Sequence, residues 1–270
     1  HKAVANSKAL EYIDVDSEYI DKSKGVLKEE ILWNLDDFVG IGIKERKEAI
    51  RMGIEKAHSL GITGIHEVVN KEGWEAYKEL NDDEELNLRI RCYILHDESD
   101  GLKPENKGEF LSLRGVKMYG DGSLGARTAA LEKEYKDDPG NKGILLNSQE
   151  RMEEIISDAE ERNFQLMAHA IGDRAINTFL DAFENSSEKS EELRHRLEHA
   201  EMLWEKNIRK IRNMNIILSV QPNFAYKWSQ PGGMNEKRLG KERLQKCDPF
   251  WDIQRSLVRM AFGSDSMPMS

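Results

Sequence analysis

A regular alternation of short apolar stretches with longer amphipathic ones runs through most of this chain and limits the folds open to it. Between the apolar stretches, residues such as Met152, Ile155, Ile156 and Ala159 recur at helical spacing. Strands that alternate with helices at this pace pair in parallel through right-handed crossovers. The predicted strands are 62–66, 86–95, 115–119, 164–169, 196–199, 216–220 and 260–263. The sequence therefore predicts an α/β fold, and these strands are one short of a closed (β/α)8 barrel.

A lysine followed by a glycine-rich loop marks the end of one predicted strand. Lys117 lies in the apolar strand 115–119, where a charged amine is costly, and further glycines follow between residues 120 and 125. Glycine lets the backbone approach a ligand closely, and barrels present catalytic groups at the carboxyl ends of their strands. The alternative is a surface lysine whose stem lies along apolar neighbours, beside an ordinary turn. Other predicted strands also end in polar residues, namely His169, His199 and Asp265.

Ordered motifs surround these side chains. Lys117 precedes the DGSLGARTA run of Asp121–Ala129, and HAIGD begins at His169. The remaining motifs are R-x-EHA at Arg196–Ala200, S-x-QP at Ser219–Pro222, and GSD followed by a proline at Gly263–Pro268. This set resembles the amidohydrolase superfamily, and within it a branch of metal-dependent hydrolases. The resemblance covers essentially the whole chain and includes the segment that begins at His1.

The resemblance implies a TIM-type (β/α)8 barrel that forms a single domain over residues 1–270 and is incomplete at both ends. A first strand with an H-x-H motif and a flanking β domain would lie outside this sequence. By the same resemblance, His169 and His199 would bind a divalent metal ion, and Lys117, carboxylated on its amine, would bridge two ions. Asp265 would contact the first ion and act as general base and acid. Zinc is the expected metal, as one or two ions.

Two segments are expected to cover the active site. These are residues 1–40 and the long stretch 223–249, since loops of that length are often functional. Aromatic residues in the second segment predict apolar contacts with the substrate. The side chains assigned to the substrate or to the support of the metal ligands are His1, His66, Arg127, Arg196, Tyr226 and Trp228. Structural salt bridges and hydrogen-bonded histidines are the alternative for the charged and imidazole members of this set.

The predicted function is hydrolysis of a C–N bond, as in an amide, in a small-molecule substrate. A metal-bound hydroxide would attack the carbonyl carbon, and Asp265 would transfer its proton to the leaving nitrogen. One alternative is a non-catalytic barrel fragment or degraded homologue that binds ligand without turnover. A second is a zinc protease, because His195–His199 matches the H-x-x-E-H motif. The protease requires a helix across these residues, whereas the barrel requires a strand.

Composition restricts the partners and the compartment. The net charge of −10 and the lack of a basic stripe in the sequence exclude nucleic acid as a partner. No apolar run of the sequence reaches membrane-spanning length, which predicts that no membrane is involved. The cysteines, Cys92 and Cys247, are too few for a disulfide framework and favour a reducing cytoplasm. A homodimer is a further expectation.

Overall fold

A computed structural model of the chain describes residues 2–13, 17, 19–28, 30–33 and 40–265. The chain divides into two compact units. The first comprises His1–Ile65, Lys71–Ile90 and Lys107–Leu111, and the second comprises His66–Asn70, Arg91–Asn106 and Ser112–Ser270. Within the described residues, no helix is both long enough and apolar enough to cross a membrane.

The first unit contains a small antiparallel sheet with an apolar cluster of its own. Its strands pair in the order β1-β3-β2 and are β1 (Lys2–Val4), β2 (Ile20–Asp21) and β3 (Val26–Lys28). The short helices of the same segment are α1 (Ser7–Leu10) and α2 (Glu30–Trp33). The buried members of the cluster are Ile13, Leu27 and Ile31. This part of the predicted covering segment 1–40 is therefore structured, and its role as a cover stays a prediction.

Two longer helices of the first unit are linked by ion pairs. Helix α3 spans Ile43–Ser59 and helix α4 spans Lys71–Asp82. On α3, Lys47 lies 2.9 Å from a carboxylate oxygen of Asp83, just past α4, and 3.3 Å from one of Glu79. Pairs of this exposure add little stability each.

In the described part of the chain, seven strands of the larger sheet neighbour one another in chain order. The strands of this sheet are β4 (Gly64–Val69), β5 (Arg89–Leu95), β6 (Glu105–Asn106), β7 (Leu111–Tyr119), β8 (Gln165–Ala170), β9 (Arg196–His199), β10 (Ile217–Val220) and β11 (Met260–Phe262). Strand β6 stands outside that order and pairs antiparallel with β7. From β7 to β11 each neighbouring pair is parallel. The predicted α/β class is confirmed, and the sheet is consistent with an incomplete TIM-type barrel.

Helices alternate with the strands of the second unit. They are α5 (Gln149–Glu161), α6 (Asp173–Ser186), α7 (Ser190–Leu193), α8 (Glu205–Asn213), α9 (Pro222–Trp228), α10 (Met234–Leu239), α11 (Lys241–Leu244) and α12 (Phe250–Arg255). The apolar stripe predicted for α5 is buried, and its members are Met152, Ile155, Ile156 and Ala159. Burial of such a stripe is the main source of stability for helices of this length.

The register of the parallel strands places the candidate residues on one face of the sheet. Lys117 of β7 pairs with Met167 of β8, which also pairs with Arg196 of β9. Two residues further along β8, His169 pairs with Glu198. Paired residues of neighbouring strands, and residues two apart on one strand, point to the same side of a sheet. Lys117, His169 and Glu198 therefore share a face.

Candidate functional site

Lys117 is a buried lysine near the carboxyl end of β7, with 6% of its surface exposed. Its Nζ lies 4.7 Å from the centre of the Tyr119 ring. Burial lowers the pKa of Lys117 to about 8, although the carboxylates of Glu198 and Asp265 act in the opposite direction. The guanidinium of Arg196 lowers this pKa further. The neutral, nucleophilic form of the amine is therefore populated in a pH range where an exposed lysine is charged.

The imidazoles of His169 and His199 meet at the carboxyl end of the same sheet. Their ring centres are 4.5 Å apart, and their planes cross at 67°. His169 is buried, and its Nε2 lies 3.0 Å from the carbonyl oxygen of Gly122 in the glycine-rich loop. Because a carbonyl oxygen only accepts, a neutral His169 ring carries its proton on Nε2 and has Nδ1 as its acceptor nitrogen. An acceptor nitrogen of imidazole can act as a base or as a metal ligand.

A left-handed backbone brings His199 into the site. The register pairs His199 with Ala170, which is on the face opposite to that of Glu198 and His169. However, φ is 70° at His199 and 51° at Ala200, a region that is costly for residues with a side chain. This conformation ends the alternation of the strand, and the ring lies beside that of His169 instead. Strand alternation alone would point His199 away from Glu198 and His169, so a regular strand does not account for the position of this ring. Backbone strain of this kind concentrates at functional sites.

Polar and aromatic groups hold the ring of His199. Its Nδ1 lies 2.8 Å from Oε1 of Gln221, and the ring of Phe224 lies nearly parallel to it, at 12° and 6.1 Å between centres. Trp228 packs on Phe224, with their ring centres 4.6 Å apart. Burial, and after it the charge of Lys117, lowers the pKa of His199 to about 4. His199 is therefore neutral at pH 7, and an apolar wall lies next to it.

Arg196 connects polar side chains on the face that carries Lys117. It donates to both carboxylate oxygens of Glu198, at 2.8 and 3.0 Å, and to Oγ of Ser219 at 3.1 Å. It also donates to Nδ1 of His66 at 2.5 Å, so the proton of that ring lies on Nε2. Burial, followed by the charge of Arg196, lowers the pKa of His66 to about 4. Both predicted residues thus belong to one hydrogen-bonded cluster with Glu198.

Asp265 follows β11 and has an exposed side chain. Its φ of 53° is left-handed, as is that of His199. After the burial of each group, the charge of Asp265 is among the influences on the pKa of Lys117, of His199 and of Glu67. Its carboxylate therefore lies within electrostatic reach of two other predicted metal ligands, Lys117 and His199.

The remaining predicted substrate contacts differ in their placement. Arg127 forms an ion pair with Asp137 at 3.1 Å, which agrees with the structural alternative. The side chain of Tyr226 is 75% exposed, whereas Trp228 is half-buried against Phe224. Helix α9 thus brings Phe224 rather than Tyr226 to His199. The predicted contact by His1 lies outside the described residues.

His195 is a structural residue of the core. Residues Arg196–His199 form a strand, so the helix required by the H-x-x-E-H motif is not there and the zinc protease hypothesis is wrong. Nδ1 of His195 accepts a hydrogen bond from the amide of Leu166 at 2.8 Å, and Nε2 lies 3.0 Å from a carboxylate oxygen of Glu160. Both ring nitrogens are therefore satisfied inside the fold.

Asp121 holds the glycine-rich loop in place. Its carboxylate accepts hydrogen bonds from the amides of Ala130 at 2.8 Å, Ile171 at 3.0 Å and Gly172 at 2.8 Å. A Cβ atom on Gly172 would lie 2.0 Å from the carbonyl oxygen of Ala130, so only glycine fits there. The loop fixed in this way carries the Gly122 carbonyl that accepts from His169.

The predicted covering segment 223–249 is attached to the same loop. Arg238 of α10 forms an ion pair with Asp137 and donates to the carbonyl oxygen of Gly125 at 3.2 Å. Arg243 of α11 donates to the carbonyl oxygen of Glu134 at 2.8 Å. The role of segment 223–249 as a cover of the active site stays a prediction, and these contacts fix one end of the segment.

Comparison with known proteins gives the family. The model of the amidohydrolase family matches residues 1–270. The chain belongs to this family. Two uncharacterized metal-dependent hydrolases of known structure, from Pyrococcus furiosus and Pyrococcus horikoshii OT3, are similar to it at 28% and 30% identity, each with a TM-score of 0.82. The similarity covers 98% of this chain and 57% and 55% of those two chains.

Curated relatives of this amidohydrolase chain are similar over a comparable part of their length. "Putative amidohydrolase YtcJ" of Bacillus subtilis (strain 168) is 29% identical over 231 residues, which make up 81% of this chain and 42% of that protein. The chain therefore spans about half the length of the relatives and structures it matches. The resemblance predicted from the ordered motifs is confirmed.

The donor set of this amidohydrolase chain fits a metal ion in part. In residues 2–13, 17, 19–28, 30–33 and 40–265, no group of three or more His, Cys, Asp and Glu side chains is arranged to hold a metal ion. His169 and His199 nevertheless offer buried imidazoles in contact with each other, and Lys117 shares the face of His169. Within the described residues, this pair of imidazoles has no third His, Cys, Asp or Glu side chain arranged with it to complete such a group.

Motif reasoning did not assign Glu198, Gln221 and Phe224 to the site. Glu198 lies in the R-x-EHA motif, and strand alternation with Arg196 is a signal that could have identified it. Gln221 lies in the S-x-QP motif, but its partner His199 is not predictable from spacing. Phe224 follows one turn later on a helix that was not predicted. The missed residues are those that hold other side chains.

Proposed function

We propose that this chain carries a metal-dependent active site that hydrolyses a C–N bond, such as that of an amide, in a small molecule. The observation that carries the proposal is the contact between the buried imidazoles of His169 and His199, on the sheet that bears Lys117. A divalent ion, with zinc as the expected one, supplies Lewis-acid polarisation of the carbonyl group and lowers the pKa of water when bound.

The two imidazoles would hold the ion through their acceptor nitrogens. The hydrogen bonds to Gly122 and Gln221 leave Nδ1 of His169 and Nε2 of His199 as those nitrogens. A metal competes with a proton for such a nitrogen, so ligands must be deprotonated. Because the pKa of His199 is lowered to about 4, proton competition at that ring is weak at neutral pH.

Lys117 would supply the anionic ligand after carboxylation. An ammonium cannot ligate a cation, whereas a carbamate presents oxygen ligands of the kind that divalent ions accept. The neutral amine attacks the carbon of carbon dioxide, an N–C bond forms, and the nitrogen releases a proton to water. This reaction needs the uncharged amine, which the lowered pKa of Lys117, about 8, makes accessible.

Asp265 would act as general base and acid. Its carboxylate would take a proton from the attacking water and return it to the leaving nitrogen as the C–N bond breaks. Arg196 and His66 would keep Glu198 in place beside this reaction through their hydrogen bonds. Phe224 and Trp228 form an apolar wall at His199, which favours a substrate with an apolar group.

A non-catalytic, ligand-binding protein is the second candidate. It is favoured by one observation, that no group of three or more His, Cys, Asp and Glu side chains in the described part of the chain is arranged to hold a metal. In that case the face of Lys117 and the apolar wall would bind a small molecule without turnover.

Metal content and hydrolysis, measured together, test the proposal. A protein that contains this chain together with the expected H-x-H strand is reconstituted with zinc and bicarbonate, analysed for bound metal, and assayed with a panel of N-acyl amides for amine release. We expect bound zinc and hydrolysis in the unmodified chain, and loss of both in the His169→Asn and His199→Asn variants. His58→Asn is the matched control, because His58 is an exposed residue of α3.

Each outcome selects between the candidates. Zinc uptake without hydrolysis of any amide in the panel would favour the non-catalytic protein. No zinc uptake by the unmodified chain, or equal uptake by the variants of His169 and His199, would refute the metal site.

A further inference from the structure

We propose that Gln221 is a positioning residue that fixes His199 as the tautomer with its proton on Nδ1. This inference concerns a residue to which the motifs assigned no role. Its consequence for metal binding rests on the proposed function, because Nε2 of His199 is then the nitrogen that would bind the ion. The tautomer itself does not depend on that function.

The orientation of the Gln221 amide follows from its hydrogen bonds. Gln221 is buried, and its Nε2 donates to the carbonyl oxygen of Ser219 at 3.4 Å. A carbonyl oxygen cannot donate, so the amide nitrogen must be at that end and Oε1 at the other. Oε1 lies 2.8 Å from Nδ1 of His199 and can only accept. The proton of the neutral ring is therefore on Nδ1.

The same turn of helix also holds the ring face of His199. Gln221 is the residue from which α9 starts, and Phe224 lies three residues later. The Phe224 ring lies at 12° to the His199 ring, whereas the His169 ring meets it edge-on at 67°. The start of α9 thus supplies an acceptor for the ring edge and an aromatic surface for the ring face.

His199 needs this support because its own backbone is strained. With φ at 70°, the residue is outside the regular strand geometry that orients side chains elsewhere in the sheet. A neutral imidazole without an acceptor at Nδ1 can carry its proton on either nitrogen. The form with the proton on Nε2 cannot ligate a cation through that atom. Partners of the second ring nitrogen fix both the tautomer and the ring orientation of histidine ligands.

Nitrogen NMR of the metal-free chain tests the assignment directly. The 270-residue chain is labelled with ¹⁵N-histidine, and the signals of His199 are assigned from a His199→Gln variant. We expect the unmodified chain to show His199 with its proton on Nδ1. Gln221→Leu should lose this single form, whereas Gln221→Glu should keep it because a carboxylate accepts the same hydrogen bond. The zinc affinity of Gln221→Leu should fall about 10- to 100-fold.

Asn235→Leu is the control for loss of a buried amide. Asn235 is buried in the same unit and donates to Oγ of Ser229 at 3.1 Å. The Asn235→Leu variant should leave the His199 signals unchanged. A proton on Nε2 in the unmodified chain, or on Nδ1 in Gln221→Leu, would overturn the proposal. If Gln221→Leu does not fold, a Gln221→Glu variant without the proton on Nδ1 overturns it instead.

The two proposals fail in different ways. The expected tautomer in a chain that takes up no zinc would support the role of Gln221 and refute the metal site. Zinc uptake by a chain whose His199 carries its proton on Nε2 would refute the role of Gln221 alone.

Discussion

Replacing Lys117 with methionine should stabilise the metal-free protein at neutral pH. Burial holds the pKa of Lys117 at about 8, against an ordinary value of 10.5. Because each power of ten in proton affinity corresponds to about 1.36 kcal/mol, the charged amine costs the folded chain about 3 kcal/mol at pH 7. Methionine is of similar length and uncharged. The attraction of Glu198 and Asp265 for the amine is already contained in this pKa, and methionine further loses the contact of the cation with the Tyr119 ring, about 0.5–1 kcal/mol. We expect the free energy of unfolding to rise by about 2–3 kcal/mol.

The stability gained by Lys117→Met should decrease as the pH rises. Between pH 8 and pH 10.5 the unfolded chain keeps the proton of Lys117 while the folded chain releases it, so the cost of the lysine declines as the pH rises. Urea denaturation at pH 8 and at pH 10.5, with a chelator present, should show that the stability advantage of Lys117→Met is smaller at pH 10.5. Lys56→Met, at an exposed position of α3, is the control and should change little. A Lys117→Met chain that is less stable at pH 7, or whose advantage is constant with pH, would refute the reasoning.

Substitutions around the site test its support. Asp121→Ala removes the acceptor of several backbone amides and should lower the free energy of unfolding by about 2–4 kcal/mol, with loss of zinc uptake. His195→Leu removes the buried acceptor of the Leu166 amide and the imidazole beside Glu160, and should cost about 2–3 kcal/mol, while zinc uptake per folded chain is unchanged. Gly115→Ala would place a Cβ atom 1.9 Å from the carbonyl oxygen of Gln165 and should cost about 1–3 kcal/mol. Urea denaturation measures the free energy of unfolding of each variant. A change smaller than about 0.5 kcal/mol would contradict the stabilising role of the contact concerned.

The larger sheet could be predicted because its signals are local. Strand β9 has the predicted bounds Arg196–His199, and the stripe predicted at Met152, Ile155, Ile156 and Ala159 lies on helix α5, Gln149–Glu161. Apolar spacing over ten residues identifies a helix, and a short apolar run between helices identifies a buried strand. The small sheet of β1, β2 and β3 was not predicted, since strands of two or three residues carry almost no alternation.

The identity of the site residues was more predictable than their orientation. Strand alternation places His199 on the wrong face, because nothing in a histidine predicts a φ of 70°. In the covering segment, aromatic content alone selected Tyr226 and Trp228. Helix α9 places Phe224 and Trp228 four residues apart on one face, and Tyr226 between them points to solvent. Once a helix is known there, its period explains which aromatic side chains reach His199.

The contrast between buried polar groups within the second unit supports a ligand site at the carboxyl end of its sheet. His195 and Asp121 are buried and meet their hydrogen-bonding needs through the fold itself. Lys117 is instead buried in a place that lowers its pKa, and His199 and Asp265 both have left-handed backbones. Each of these features opposes folding, and they occur together where the strands end. Stability alone would favour an apolar residue at Lys117 and a regular strand end at His199, so a ligand that makes these side chains favourable is the simpler physical explanation.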